Sequence, residues 1–154
     1  IIRRARRLRK VGHGRNKVDT TYVDNAAHAH VLAARKLGER ASLSGRVYFI
    51  SQGEPVLLWD MVNAILAAAD LPPVERAVGL KTARRAGALL EWIYRCLQLP
   101  GEPPMTRFVA EELATAHWFD LRAAREDLDY HPPVSTQEGL KRLRRWLQEE
   151  NPAQ

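Results

Sequence analysis

The sequence contains a single cysteine, Cys96, so the chain cannot form an internal disulfide bond. No stretch reaches the roughly 18 consecutive apolar residues that a membrane-spanning helix needs. The arginine-rich start also lacks the apolar core of a secretory signal. These absences together predict a cytoplasmic protein. Cys96 lies among Ile93, Tyr94 and Leu97, a setting that favours a buried small apolar residue over a nucleophile.

The first position is not methionine, which predicts that the sequence is a piece of a longer protein. Its 154 residues suffice for one ordinary domain with its own core. A content of 45% hydrophobic and 27% charged residues is typical of a globular chain and excludes a disordered tail. Aromatic residues are few, at 7%.

The net charge of +6 raises the question of nucleic-acid binding. Six basic residues cluster near the start of the chain: Arg3, Arg4, Arg6, Arg7, Arg9 and Lys10. No aromatic residues lie among them for base stacking, and no zinc-finger or helix-turn-helix pattern follows. Nucleic acid is therefore a disfavoured partner, although a non-catalytic basic interaction module stays open as an alternative function.

The order of predicted elements indicates an α/β fold. Residues 20–23 are β-prone, and Asp24 is expected to cap an alanine-rich helix that Gly38 ends. Residues 47–50 form a continuous β-branched and aromatic run between turn residues, which predicts a buried strand. A helix followed by a strand is the rhythm of α/β proteins.

The rest of the chain is predicted to be mostly helical. Apolar residues recur at helical spacing over residues 58–69 and 80–99, and shorter helices are expected at 106–115 and 120–128. Ser135 and Glu138 have the spacing of a capping box, in which each side chain bonds the other's backbone N–H at the start of a last helix.

Three blocks in this order carry a family resemblance. The first, residues 19–30, reads Asp-x-x-Tyr-Val-Asp-Asn-x-Ala-x-Ala-His. The second, residues 45–56, is a strand, a glycine turn and the start of a helix. The third, residues 119–132, reads Phe-Asp-x-x-Ala-Ala-x-x-x-Leu-Asp-Tyr-x-Pro, with Ala123 where the family commonly has Lys and Asp129 where it often has Gly. The chain thus resembles the carboxyl half of an extended short-chain dehydrogenase/reductase of the 3β-hydroxysteroid dehydrogenase-like branch, within the NAD-dependent epimerase/dehydratase superfamily.

This resemblance implies a C-terminal fragment of a Rossmann-type enzyme, mostly helical with a few short strands. Residues 1–53 would be the last helix and strand of the dinucleotide-binding domain, and residues 54–154 a helical substrate-binding lobe. The complete protein would use NAD or NADP to interconvert a secondary alcohol and a ketone on a bulky hydrophobic substrate. That substrate would be steroid-like or sterol-like, or a long-chain 2-alkyl-3-oxo acid as in bacterial reductases of the family.

The family's catalytic pair is absent from this chain. In the family, a Tyr-x-x-x-Lys pair transfers the proton and holds the ribose. Tyr22, Tyr48, Tyr94 and Tyr130 are followed four positions later by Ala26, Gln52, Gln98 and Val134, so no catalytic residue is assigned here.

Nor do the first glycines form a dinucleotide fingerprint. Lys17 stands in place of the third glycine after Gly12 and Gly14, and no strand is expected before them. We therefore expect the fragment alone to bind no cofactor and to be inactive, with the missing N-terminal Rossmann half as its partner.

Four residues are candidates for substrate binding. Arg15, in the glycine-flanked loop, could contact a phosphate or carboxylate, although a solvated loop arginine is the plainer interpretation. The resemblance places Tyr22 and Asn25 beneath the family's active-site cleft, although packing and capping are the plainer interpretation. Trp59 belongs to a set of large side chains that could line an apolar cavity, most of which we expect in the core: Trp59, Trp92, Tyr94, Met105, Phe108 and Trp118.

No metal site is predicted, because His28 and His30 lie two residues apart on a helix and point about 200 degrees apart. Residues 86–99 combine a cationic and an apolar face, a pattern that leaves peripheral membrane contact open. A homodimer is likewise left open. Within the superfamily, the rival function is the C-terminal lobe of a sugar-nucleotide epimerase or dehydratase, with a polar, diphosphate-binding lobe.

Overall fold

The computed structural model describes residues 1–2, 5 and 8–150. Six α-helices lie in this part of the chain: α1 (Val23–Glu39), α2 (Leu58–Ala68), α3 (Leu80–Cys96), α4 (Arg107–Glu112), α5 (Arg122–Leu128) and α6 (Thr136–Glu150). Four strands of two residues each are β1 (Lys10–Val11), β2 (Lys17–Val18), β3 (Val56–Leu57) and β4 (Ala77–Val78). A short 3-10 helix, Ala41–Leu43, follows α1. The prediction of a mostly helical chain with a few short strands is confirmed.

The chain forms two compact units that interleave in sequence. Unit 1 comprises Ile1–Lys17 and Leu57–His117, and unit 2 comprises Val18–Val56 and Trp118–Gln154. The chain passes from one unit to the other within β2 and within β3, which pair with each other. The division at residue 53 concerns the domains of the complete protein and stays a prediction.

Unit 1 contains β1, β4 and helices α2 to α4. Strands β1 and β4 pair in parallel, with Lys10 opposite Ala77 and Val11 opposite Val78. Helices α3 and α4 approach closely at Gly87, where a Cβ atom would lie 2.6 Å from the carbonyl carbon of Thr106. Two apolar clusters make the core of this unit: Val11, Ala83, Ala110 and Ala114 in one, and Trp59, Val62, Leu66 and Val74 in the other.

Unit 2 packs α1 against α5. Its core consists of small and medium side chains around one buried tyrosine: Ala29, Leu43, Leu121, Ala124, Leu128 and Tyr130. The small alanine side chains Ala29 and Ala124 lie in this core. Ser135 lies directly before α6, as predicted, and its Oγ accepts from the N–H of Glu138. The reciprocal half of the capping box is not formed, because the Glu138 carboxylate accepts from Arg142 Nε instead.

Several sequence predictions were wrong in this chain. The backbone of residues 47–50 belongs to no assigned strand, and the Val47 side chain is 87% exposed. The N-cap of α1 is Tyr22, so Asp24 lies in the first turn and does not cap the helix. Cys96 is exposed, because it lies on the outward face of α3. The core prediction also fails for Trp92, Phe108 and Trp118, which are more than half exposed.

The glycine loop differs in one respect from its prediction, since β1 does precede it. The segment that follows the loop is β2, however, and not a helix. Within the basic cluster, residues 3, 4, 6 and 7 lie outside the described residues. No helix of the described ranges is long and apolar enough to cross a bilayer.

Candidate functional site

The structure places the four candidate residues in two groups, one in each unit. Arg15 and Trp59 lie at the loop of residues 12–16 in unit 1. Tyr22 and Asn25 lie at the start of α1 in unit 2.

Arg15 is exposed at the loop between β1 and β2. Its backbone N–H donates to Nδ1 of His13 at 2.9 Å, which holds the turn. Within the described residues, no ion pair involves its guanidinium group. The side chain is therefore available to an anionic group.

Trp59 lies in the first turn of α2 and is only 3% exposed. Its ring packs in the apolar cluster with Val62 and Leu66. The edge of the ring that contains Cδ1 faces the glycine loop, since a Cβ atom on Gly14 would lie 3.7 Å from Cδ1. Trp59 is thus a core residue with one edge directed at the loop of Arg15.

Tyr22 packs against α6 at a glycine. A Cβ atom on Gly139 would lie 2.9 Å from Cδ2 of Tyr22. The tyrosine ring therefore fits at this position only because residue 139 is glycine. The Arg142 guanidinium lies 5.7 Å from the ring centroid and also pairs with Asp24 and Glu138. Hydrogen bonds from Arg142, above all to Glu138, raise the pKa of this arginine.

Asn25 is completely buried and joins three segments of unit 2. Its Nδ2 donates to the carbonyl oxygen of Val134 at 2.8 Å and to Oε1 of Gln52 at 2.9 Å. Its Oδ1 accepts from the N–H of Val134 at 2.9 Å. Gln52 in turn donates to the same Val134 carbonyl. Because both amide hydrogens have partners, Asn25 has no donor left for a ligand.

A second polar cluster, which the sequence did not single out, surrounds the turn at residues 51–53. Oδ2 of Asp19 accepts from Oγ of Ser51 at 2.7 Å and from the N–H of Gly53 at 2.8 Å. The hydroxyl of buried Tyr130 donates to the carbonyl oxygen of Ser51. Burial, with a smaller contribution from the Asp19 charge, raises the pKa of Tyr130, so its hydroxyl stays protonated as a donor.

The three blocks that resemble the family contain one residue each of this cluster: Asp19, Ser51 and Tyr130. Membership of these blocks was the only sign in the sequence that these residues matter. Their contacts join the three blocks: residue 19 of the first, the turn at residues 51–53 of the second and Tyr130 of the third. The blocks are therefore brought together in one network of hydrogen bonds in unit 2.

A third cluster fixes residues 46–48 to α5. Oδ2 of Asp127 accepts from Arg46 Nη1 at 2.7 Å and from the Tyr48 hydroxyl at 2.9 Å. Both bonds lower the pKa of Asp127, and the bond from Tyr48 has the larger effect. Burial and the same carboxylate raise the pKa of Tyr48. Among the described residues, no cluster of three His, Cys, Asp or Glu side chains could hold a metal ion.

Solved structures establish the fold class. The chain matches a crystal structure of gox2253 with a TM-score of 0.57 at 21% identity, over 91% of this chain and 41% of that one. It also matches a structure of UDP-glucuronic acid 4-epimerase from Bacillus cereus in complex with NAD, with a TM-score of 0.55 at 17% identity. This match covers 91% of this chain and 34% of that one. At these identities the likeness concerns the fold alone, and it confirms an α/β protein with the fold of part of a Rossmann-type enzyme.

The chain belongs to the 3-beta hydroxysteroid dehydrogenase/isomerase family, whose model matches residues 1–79. It is 52% identical over 146 residues to the 2-alkyl-3-oxoalkanoate reductase of Stenotrophomonas maltophilia (strain K279a), which covers 94% of this chain and 44% of that protein. The chain is 48% identical to the protein of the same name from Shewanella oneidensis, and the match covers 90% of this chain and 36% of that protein.

A sterol-4-alpha-carboxylate 3-dehydrogenase of Schizosaccharomyces pombe is 35% identical, over 92% of this chain and 42% of that protein. The chain thus spans less than half the length of these curated relatives. The family predicted from the three sequence blocks is confirmed.

Proposed function

We propose that this chain is the substrate-recognition part of an NAD(P)-dependent short-chain dehydrogenase/reductase. The complete protein would interconvert a secondary alcohol and a ketone on a bulky hydrophobic substrate, either a long-chain 2-alkyl-3-oxo acid or a sterol-like molecule. The 52% identity to a protein named 2-alkyl-3-oxoalkanoate reductase is the observation that carries this proposal. Family membership supports the same reaction class.

The residues of this chain do not fit the nicotinamide cofactor. The loop of residues 12–16 leads into β2, so no helix N-terminus offers backbone N–H groups to a pyrophosphate there. The Tyr-x-x-x-Lys pair is also absent. We therefore assign no step of hydride transfer to these residues. The isolated chain should bind no nicotinamide in calorimetry, and tight binding with turnover would overturn this part of the proposal.

The contribution of this chain would be to shape and orient the substrate site. Asn25 and Asp19 would act by positioning the turn at residues 51–53, since their bonds hold that turn. Tyr22 would support the start of α1. Arg15 would meet a carboxylate, or the phosphate of a coenzyme-A or acyl-carrier thioester, and Trp59 would supply an apolar wall behind the loop.

Activity of the complete protein tests the proposal. Reduction of a long-chain 2-alkyl-3-oxo acid should consume NADH or NADPH, while a nucleotide sugar should not react. A sugar-nucleotide epimerase or dehydratase would show the opposite preference. The epimerase structure is similar at 17% identity, which supports a shared fold without favouring that activity.

We further propose that residues 46–50 pack against the cofactor-binding half of the complete protein as a strand. Tyr48 and Ile50 pack on the core of unit 2, whereas Val47 and Phe49 are exposed at 87% and 54%. This alternation is that of a strand with one covered face. Within the described part of the chain, the peptide groups of residues 47–49 make no hydrogen bond. An extended segment with free peptide groups and apolar side chains is a template for strand addition.

Hydrogen exchange distinguishes the two states of this segment. In the complete protein the amides of residues 47–49 should exchange slowly, because they are hydrogen-bonded in a sheet. In the isolated 154-residue chain they should exchange fast, while amides inside α1 stay protected in both. Fast exchange in the complete protein would exclude a strand at this position.

Peripheral membrane contact through unit 1 is a second function that we propose. Four large apolar side chains are exposed on α3, on its C-terminal extension and on α4: Leu89, Trp92, Leu97 and Phe108. We call these residues the α3–α4 apolar surface. Lys81, Arg85 and Arg95 are exposed on the same helix and form no ion pair among the described residues. An apolar face with cations beside it suits an interface that contains anionic lipids.

Vesicle binding of the complete protein tests this contact. Vesicles of phosphatidylcholine with phosphatidylglycerol should bind the protein, with an affinity that falls as salt rises. Trp92→Ser should weaken binding about thirtyfold, because burial of a large apolar side chain contributes on the order of 2 kcal/mol. Trp146→Ser, at an exposed tryptophan of α6, is the matched control and should bind as the wild type does. Equal binding by both variants would show that the α3–α4 apolar surface does not contact the membrane.

A further inference from the structure

A cavity of about 280 Å³ lies in unit 1 at the end where the parallel strands β1 and β4 begin. Its lining comes from residues 5, 8 and 9, which precede β1, and from residues 72–76, which precede β4. The loop of Arg15 follows the other end of β1. The cavity is therefore separate from that loop, and none of the four candidate residues lines it.

One wall of this cavity is apolar and is fixed by the core of unit 1. Val74 is 5% exposed and belongs to the apolar cluster of α2, against which Ala5 and Leu8 pack. The N–H of Val74 donates to Oδ1 of Asn63 in α2 at 2.9 Å. Residues 72–73 are both proline, and the proline ring restricts the backbone before Val74. The wall is thus held in place by the fold itself, as is common at sites for small molecules.

Two arginines line the cavity from neighbouring backbone positions. Lys10, the residue after Arg9, donates its N–H to the carbonyl oxygen of Arg76 at 2.9 Å. Nη1 of Arg9 donates to the carbonyl oxygen of Leu8 at 3.0 Å, which is a neutral partner. Neither arginine forms an ion pair among the described residues. Like charges on adjacent strands repel each other, and an anion between them would relieve this repulsion.

The lining selects the ligand by charge, polarity and size. Glu75 also lines the cavity but forms no ion pair with either arginine, so the lining keeps an excess of positive charge. The volume is at the lower end of the roughly 300–1,000 Å³ typical of ligand sites, which restricts the ligand to a short body. We infer that this cavity binds a small amphiphilic anion, with a carboxylate or phosphate head at the arginines and a short aliphatic body against Leu8 and Val74. Guanidinium groups bind both kinds of head by paired hydrogen bonds.

Ligand-observed NMR on the complete protein tests the site with four probes. Hexanoate and hexyl phosphate combine a charged head with an apolar body, whereas hexanol lacks the charge and inorganic phosphate lacks the body. At least one of the two amphiphilic anions should bind about tenfold more tightly than hexanol and inorganic phosphate, and the tighter anion identifies the head group. Binding of neither anion would overturn the inference, as would hexanol binding of equal strength.

Charge-removing variants then locate the anion. Arg76→Gln, at an exposed position, should weaken binding of the anion about tenfold while its melting temperature and its hexanol binding match the wild type. Arg35→Gln removes the same charge at an exposed position of α1 that has no ion pair among the described residues, and it should bind as the wild type does. Glu75→Gln removes the opposing charge from the lining and should strengthen binding about twofold.

Arg15→Gln separates the cavity from the glycine loop. This variant should bind the anion as the wild type does, because Arg15 does not line the cavity. A loss in Arg15→Gln but not in Arg76→Gln would place the anion at the loop and overturn the inference. Equal losses in Arg76→Gln and Arg35→Gln would show a general effect of net charge and would also overturn it. None of these measurements uses turnover, so they stand apart from the test of the proposed reductase activity.

Discussion

Asn25 and Val134, 109 positions apart in sequence, form a reciprocal pair of hydrogen bonds. The amide of Asn25 donates to the carbonyl of Val134 and accepts from its N–H, as the neighbouring backbone would in a sheet. The side chain thus replaces a strand in joining the start of α1 to the segment before α6. This bond pair accounts for a polar residue in the interior of unit 2 without any contact to a ligand.

Replacement of Asn25 should therefore destabilise the fold. Asn25→Ala leaves the Val134 N–H and the Gln52 Oε1 unpaired in the interior, and should lower the free energy of unfolding by about 3 kcal/mol. Urea denaturation measures this change. His30→Ala, at an exposed position of the same helix, is the control and should stay within about 0.5 kcal/mol of the wild type. Equal losses in the two variants would contradict the assigned role.

Asp127 should make stability depend on pH in the acid range. Hydrogen bonds from Tyr48 and Arg46 lower its pKa in the folded protein below the unfolded value of about 3.9. A lowered folded pKa contributes stability that is present above the unfolded pKa and is lost as the pH falls through the folded pKa. Asp127→Asn should remove this contribution, so its stability should fall less than that of the wild type on acidification below about pH 4.

Thermal melts as a function of pH measure the difference. Asp60→Asn, at an exposed position without an ion pair among the described residues, should follow the wild-type pH profile. If Asp127→Asn also followed that profile, the Asp127 cluster would have no energetic role.

Gly87 should tolerate no side chain. A Cβ atom would lie 2.6 Å from the carbonyl carbon of Thr106 and 2.8 Å from the N atom of Arg107, both of which are backbone atoms. Gly87→Ala should therefore force α3 and α4 apart and lower stability by about 2 kcal/mol, despite the better helix propensity of alanine. Gly38→Ala is the matched control in α1, since nothing lies within 4 Å of its Cβ position. This control should gain about 0.5–1 kcal/mol in chemical denaturation.

Asp129 occupies a left-handed conformation, with a φ angle of 58°, directly after α5. Glycine is preferred there because it lacks a Cβ atom. Asp129→Gly should raise the free energy of unfolding by about 1 kcal/mol. The loss of the contact with His131 should matter little, because both side chains are exposed. Asp129→Ala should be less stable than the wild type, and the reverse order of the two variants would contradict this explanation.

Much of the fold could be predicted from the sequence. Periodicity located α2 and α3 within a few residues, and Thr106 caps α4 close to the predicted helix start. The three motif blocks identified the family, because their residue types and their order can be read from the sequence without knowing any contact. The candidate site was only partly predictable: Arg15 and Trp59 were named, while Asp19 and Tyr130 were not, since their importance depends on partners from distant segments.

The sequence by itself determined the local elements, the family and the absence of the Tyr-x-x-x-Lys pair from these residues, because each of these depends on residue types at short range. Only the tertiary structure decided burial and pairing. It showed that Cys96 and Trp92 face outward and that Asn25 is completely buried. It also showed that the peptide groups of residues 47–49 have no partner within the described residues. Burial and hydrogen bonding depend on which distant segments meet, and a local pattern of apolar residues does not specify that meeting.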